Sequence, residues 1–473
     1  MNSQPINHIW KLGGVVAIAG LIGIAAPPRP APQNSGPQPR SRPAPSFSPN
    51  VNIESELMIT DLRVVEDRRR TDSNNSRAPW TFRHLIENMA GDDPAEFAMN
   101  WLLQWETDQM INGQLSAARP AIRDLVIDPW LAKSGGDRLD LSLAPFKLLS
   151  IVNRIDLRSH EGNSVDTGGE GRFVFGVLDT DGNPLPPLFG TAPGGFVIIF
   201  EYELIADDMN ELRAWANEWH ALGSMPIGSR DYNARLERIT RRFTDRNRAP
   251  LKANRNALNQ LRTNELSLSF PWELREFVIS ADTGMLTQKT VAITPGSIEI
   301  NGTELLRDLI NDNEDEILDG TFALEPEWFG ATSLSGPFVV AGFPDAENRT
   351  FTVRPFFEEF VNLPWSAAGI RSNDARHVFA VNTCNGCHND ETGTSFLQIG
   401  FPQAHNMPES LGSPAELAGF LTGIEIEDPV EPETLRSFND LDRRQTDLQD
   451  LLSSFGRDGR GPGPRPHRPS FVH

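Results

Sequence analysis

Residues 146–157 read FKLLSIVNRIDL, residues 172–178 read RFVFGVL and residues 195–204 read GFVIIFEYEL. These stretches decide the fold class. Each is rich in aromatic and β-branched side chains and is bounded by turn formers, which predicts three strands. Asp179-Thr180-Asp181-Gly182-Asn183-Pro184 lies between the second and third and predicts a hairpin turn. Helical stretches alternate with the strands. Asp93 caps and Pro94 enters one helix, on which Phe97, Trp101, Leu102 and Trp105 share a face. Asp207 or Asp208 opens another that runs to Gly223, with Leu212, Trp215 and Trp219 at helical spacing. No repeat of fixed period interrupts this mixture, so residues 51–345 are expected to form an α+β body.

Charge and composition narrow the function. The chain has 473 residues and a formal charge of −21. Residues 1–50 carry Lys11, Arg29, Arg40 and Arg42 with no acid, and residues 457–473 carry four arginines against Asp458. Those ends contribute +4 and +3, which leaves −28 for the middle. So acidic a body repels phosphate backbones, which argues against a nucleic-acid partner. The body has no apolar run of 18 residues, which excludes an integral helical membrane protein. The 10 Trp and 27 Phe sit at core-facing spacing, so they are read as core and not as an aromatic platform for sugars. The acidic run Asn311–Glu316 has Glu where a calcium loop needs Gly and lacks the closing Glu. It is read as the solvated end of a helix beginning near Thr303.

The ends have their own logic. Lys11 precedes an uncharged run from Leu12 to Ala26, and Gly23-Ile24-Ala25 offers a small-x-small cleavage site. Residues 1–26 are expected to be a signal peptide or a retained N-terminal anchor, placing the protein in a bacterial periplasm or outside the cell. Membrane contact is expected only if this segment is uncleaved. Residues 27–50 hold nine prolines and predict a disordered, extended linker; residues 456–473 predict a disordered basic tail.

Both cysteines of the chain fall in Cys384-Asn385-Gly386-Cys387-His388. C-x-x-C-H is the attachment signature of c-type haem. Residues three apart share a helix face, so two thiols reach two vinyl groups on one side of a porphyrin, while the adjacent His is rotated by roughly 100° toward the iron. Three rival readings stand beside this. A thioredoxin-like site needs a βαβ context, and the preceding Ser372–Val381 reads as helix. A structural zinc site needs about four ligands. A plain disulfide needs only the two thiols.

Farther on stand Asn406-Met407-Pro408 and then Ser413-Pro414-Ala415-Glu416-Leu417-Ala418-Gly419-Phe420-Leu421, where Ser413, Pro414 and Glu416 carry the signals of a capped helix. With the pentapeptide, residues 372–455 resemble monohaem class I c-type cytochromes. The resemblance implies a small, mainly α-helical haem region over residues 346–455 and haem c as cofactor. It implies thioethers from Cys384 and Cys387, His388 as proximal iron ligand and Met407 as distal ligand. Met407 follows His388 by only nineteen residues, a shorter connection than the family has. His405, a ligand from the body, or no sixth ligand remain open. Electron transfer with a protein redox partner, basic to match the acidic body, is the leading expectation. A peroxidase-like haem enzyme with an open distal site is the alternative, and a secreted binding protein with a redox haem segment is a third. A segment this short has little surface to bury alone, so the haem region is expected to depend on its cofactor and to unfold separately from the body.

Overall fold

The computed structural model describes residues 49–454, except 162, 188–193, 270–271, 290–299, 325–332, 335–337, 341–359, 363, 389–390, 395 and 403–411. The expected signal, linker and tail lie outside the described residues, as do His405, Met407 and the expected boundary near residue 345. No helix among the described residues is long and apolar enough to cross a membrane.

The chain is α+β, built on one large antiparallel sheet. Its strands are β1 (Met58–Ile59), β2 (Phe146–Arg154), β3 (Glu170–Val177), β4 (Phe196–Glu203), β5 (Leu258–Glu265), β6 (Glu273–Ile279) and β7 (Leu286–Lys289), with Ser333–Leu334 also on the free side of β6. Spatial order follows chain order from β1 to β7. The three strands read from sequence are β2, β3 and β4. Between β3 and β4, the Asp179 carboxylate accepts from the amides of Asp181 and Asn183 (2.8 Å each), forming the expected turn.

The sheet is covered on both faces, which explains why its central strands read as nearly continuous apolar runs. Ile151, Phe173, Phe200, Leu261 and Phe277 are cross-strand neighbours in one row on the first face, each fully buried. Four helices lie over that face: α1 (Phe82–Met89), α2 (Pro94–Leu102), α3 (Met209–His220) and α4 (Arg230–Thr244). Asp93 caps α2 and Asp208 caps α3, each accepting backbone amides of the first turn. Trp101, Trp105, Trp215 and Trp219 fill the space between these layers, and all eight described tryptophans are buried. The acidic run closes α5 (Glu304–Asp312), which begins after Thr303, and continues into the short helix Glu314–Leu318.

The second face is covered by the C-terminal segment. It contains α6 (Asn373–Val381), α7 (Cys384–Cys387), the short strand β8 (Ile399–Gly400) paired with β9 (Glu416–Leu417), α8 (Gly419–Thr422), the hairpin β10 (Ile424–Glu427) and β11 (Leu435–Phe438), and α9 (Asp440–Ser454). Cys387, Phe401, Phe420, Leu421 and Leu441 form one cluster with Met58, Leu149, Val152, Val174, Val197 and Ile199 of the sheet. Gly176 of β3 leaves the space that Phe401 fills, since a Cβ there would overlap its ring. Helix α9 docks through Arg158–Asp447 and Arg443–Asp156 ion pairs and sends Leu448 and Leu451 into the first-face core.

The described residues beyond 48 form one compact unit, in which side chains of the C-terminal segment and of the body pack into one cluster. One expectation is corrected here. The helix expected after Ser413 is absent: Glu416 and Leu417 pair with Gly400 and Ile399, and helix begins only at Gly419. Strand pairing and the burial around Leu417 outweigh the local capping signals.

Candidate functional site

The pentapeptide is positioned from below by α6. Ser372 caps this helix, accepting the Ala375 amide at 3.1 Å. Helix α6 ends at Asn382, and Thr383 caps α7 by accepting from Gly386 N (3.1 Å) while donating to the Ala380 carbonyl (2.7 Å). Trp365 Nε1 also donates to the Thr383 hydroxyl (3.1 Å). A Cβ on Gly386 would strike the Ala380 carbonyl, so this close turn requires glycine between the cysteines.

Cys384 and Cys387 occupy one helical turn, are buried, and are not joined by a disulfide. Cys384 packs with Leu266, Trp272 and Leu274 from β6 and the chain before it; Cys387 packs on β1 to β4. Gln398 Nε2 donates to Cys387 Sγ at 3.1 Å. Burial pushes the Cys387 thiol well up, so it stays protonated at neutral pH.

His388 is buried, with its Nδ1 2.6 Å from the Phe396 carbonyl oxygen. A carbonyl only accepts, so Nδ1 carries the proton. Burial, helped by the charge of Arg262 and opposed by the Phe396 bond, depresses the ring to about 4, so it is neutral at pH 7. A neutral imidazole protonated on Nδ1 has its lone pair on Nε2, the form that ligates metals. The Trp272 ring stacks on His388, centroids 5.0 Å apart and planes 28° from parallel. Cys384, Cys387 and His388 do not converge: among the described residues, the one group whose three donor atoms lie within 4.8 Å of one another is His377, Glu391 and Asp428.

That second group is held by arginine. Arg376 donates to both Glu391 oxygens (2.9 and 2.8 Å) and to both Asp428 oxygens (3.1 and 3.0 Å), and Arg436 adds a bond to Asp428 (2.9 Å). His377 Nδ1 meets Glu391 at 2.6 Å. Burial pushes Asp428 up, but the amides of Val430 and Glu431 with the two arginines hold it at about 2. The carboxylates already have cationic partners, which makes this an ion-pair network tying α6 to β10 and β11.

A further buried network lies on the first face, where Arg119 and Arg275 pair with Glu273 and Glu265, and Trp105 Nε1 donates to Glu265 (2.7 Å). Burial pushes Glu265 up to about 7.

Sequence reasoning found Cys384, Cys387 and His388, which the structure brings onto one turn and its exit. It missed Phe396, Asn264, Trp272 and Gln398, which surround them. Trp272 and Asn264 lie more than a hundred residues upstream, and no local motif marks them. No family model, curated protein or solved structure matches this chain.

Proposed function

We propose that this is an exported c-type haem protein that transfers single electrons to and from a protein partner. Cys384 and Cys387 would hold the group through thioethers, His388 Nε2 would be the proximal ligand, and Met407 is proposed as the sixth. The observation that carries the reading is the His388 bond to the Phe396 carbonyl, which leaves a neutral imidazole with its lone pair on Nε2 directly after two thiols on one turn.

The arrangement of donors also supports haem over its rivals. A structural zinc ion needs its ligands to converge within a few ångströms, whereas thioethers and an axial nitrogen grip different parts of a macrocycle. When bound, the haem supplies a one-electron couple. The chain's own residues do the rest. Phe396 keeps the proton of His388 on Nδ1, Trp272 fixes the ring's plane, and the apolar sheet face around Cys387 excludes water. The thiols are buried, so attachment must precede closure of the C-terminal segment over the sheet. The acidic body would steer a basic redox partner.

Expression in a periplasm with haem-maturation machinery tests the proposal. The product should carry one covalent haem that resists acid-acetone extraction, and C384A/C387A should lose it. An unmodified mass would overturn it.

A further inference from the structure

The carbonyl that holds His388 is itself held by the sheet. Asn264 of β5 donates from Nδ2 to the Phe396 oxygen at 2.9 Å, alongside His388 Nδ1 at 2.6 Å. The other end of the same amide, Asn264 Oδ1, accepts from Trp272 Nε1. Trp272 then returns to the site, stacking on His388 (5.0 Å, 28°) and on Phe396 (6.0 Å, 26°). Asn264 lies in the row Gly176–Val197–Asn264–Leu274 across β3 to β6, all on the second face. Asn264 is 2% exposed, and both ends of its amide are used.

The position of Phe396 shows why an anchor is needed. Its φ is +65°, a left-handed conformation that strains a bulky side chain and persists only where surroundings over-determine it. The bond from His388 alone would leave that loop carbonyl to swing. A second donor from a central strand fixes it.

We propose that Asn264 and Trp272 are positioning residues for His388. They form a relay in which Trp272 Nε1–H donates to Asn264 Oδ1, Asn264 Nδ2–H donates to the Phe396 carbonyl, and that carbonyl accepts the His388 Nδ1 proton. The body's sheet thereby sets the tautomer and plane of the imidazole supplied by the C-terminal segment. The geometry stands in the protein alone, while its consequence for iron rests on the haem reading above.

The test reads the Nδ1 proton of His388 by NMR in histidine labelled with 15N, assigned by its loss in H388Q. The sample is the ferrous holoprotein, or the purified full chain if its mass shows no haem. Mass and haemochrome spectra therefore judge the haem reading separately from the relay. In the wild type, the proton should appear on Nδ1 and exchange slowly. N264L removes both bonds of the amide at similar volume and should speed that exchange roughly five- to tenfold more than it speeds exchange of core amides in β2 to β4. W272F keeps a stacked ring and loses only the donor, so a smaller selective increase is expected. A purely structural role would raise all core exchange rates together. That result, or a His388 proton on Nε2, or unchanged Nδ1 exchange in N264L, would overturn the relay.

Discussion

Phe401→Ala tests whether the C-terminal segment and the sheet are one cooperative structure. Phe401 is 1% exposed and lies over Gly176 among side chains drawn from both parts. Truncating a buried Phe costs about 3–5 kcal/mol through lost transfer energy and a residual cavity. Unfolding entropy near 60 °C is about 2.1 cal/mol/K per residue, so the roughly 340 described residues give on the order of 0.7 kcal/mol/K. The expected fall in Tm is therefore about 4–7 °C. Scanning calorimetry with near-ultraviolet circular dichroism should show one transition that moves as a whole. A double-mutant cycle sharpens the argument. Gly176→Ala forces a Cβ into the Phe401 ring and should cost about 1–3 kcal/mol in the wild type, but much less in the Phe401→Ala background, where the space is open. Two separate transitions, of which only the smaller moves, would refute the shared core. Equal cost of Gly176→Ala in both backgrounds would refute the contact.

Three other outcomes follow from the buried charges. Asp428 ionises near 2 in the folded chain against an ordinary 3.8, so its contribution should be complete above about pH 4 and vanish as pH falls through 2, a loss absent in Asp428→Asn when urea midpoints are compared across that window. Glu265 has the opposite sign: held up at about 7 against 4.5, it should make the protein lose stability as pH rises from about 4.5 to 7, and Glu265→Gln should flatten that slope in Tm. Arg376 already occupies Glu391 and Asp428, so zinc or calcium should leave Tm unchanged in the wild type, while Arg376→Met should cost about 3–5 kcal/mol by leaving the buried Glu391 without a guanidinium and Asp428 with Arg436 alone.

What was legible in the sequence reflects which forces act locally. The runs at 146–157, 172–178 and 195–204 stand out because both faces of their strands are buried, so no polar alternation dilutes them. Asp93 and Asp208 mark helix starts because a short carboxylate satisfies first-turn amides in any context. The helix expected after Ser413 failed because pairing of Glu416 and Leu417 with a strand sixteen residues earlier decides that stretch. Cys384, Cys387 and His388 were legible because both thiols of the chain and an imidazole fall within five consecutive residues. Asn264 and Trp272 were not, because a side chain that acts through a carbonyl needs only proximity in space. The packing of this segment was not legible for a related reason: the partners of Phe401, Phe420 and Leu441 lie on strands more than two hundred residues upstream.

The most direct test of the central claim is the intact mass and pyridine haemochrome spectrum of the full chain after periplasmic expression with haem-maturation machinery. The account expects one haem bound through two thioethers, lost in C384A/C387A. A full-length product with unmodified thiols and no haemochrome under those conditions would contradict it.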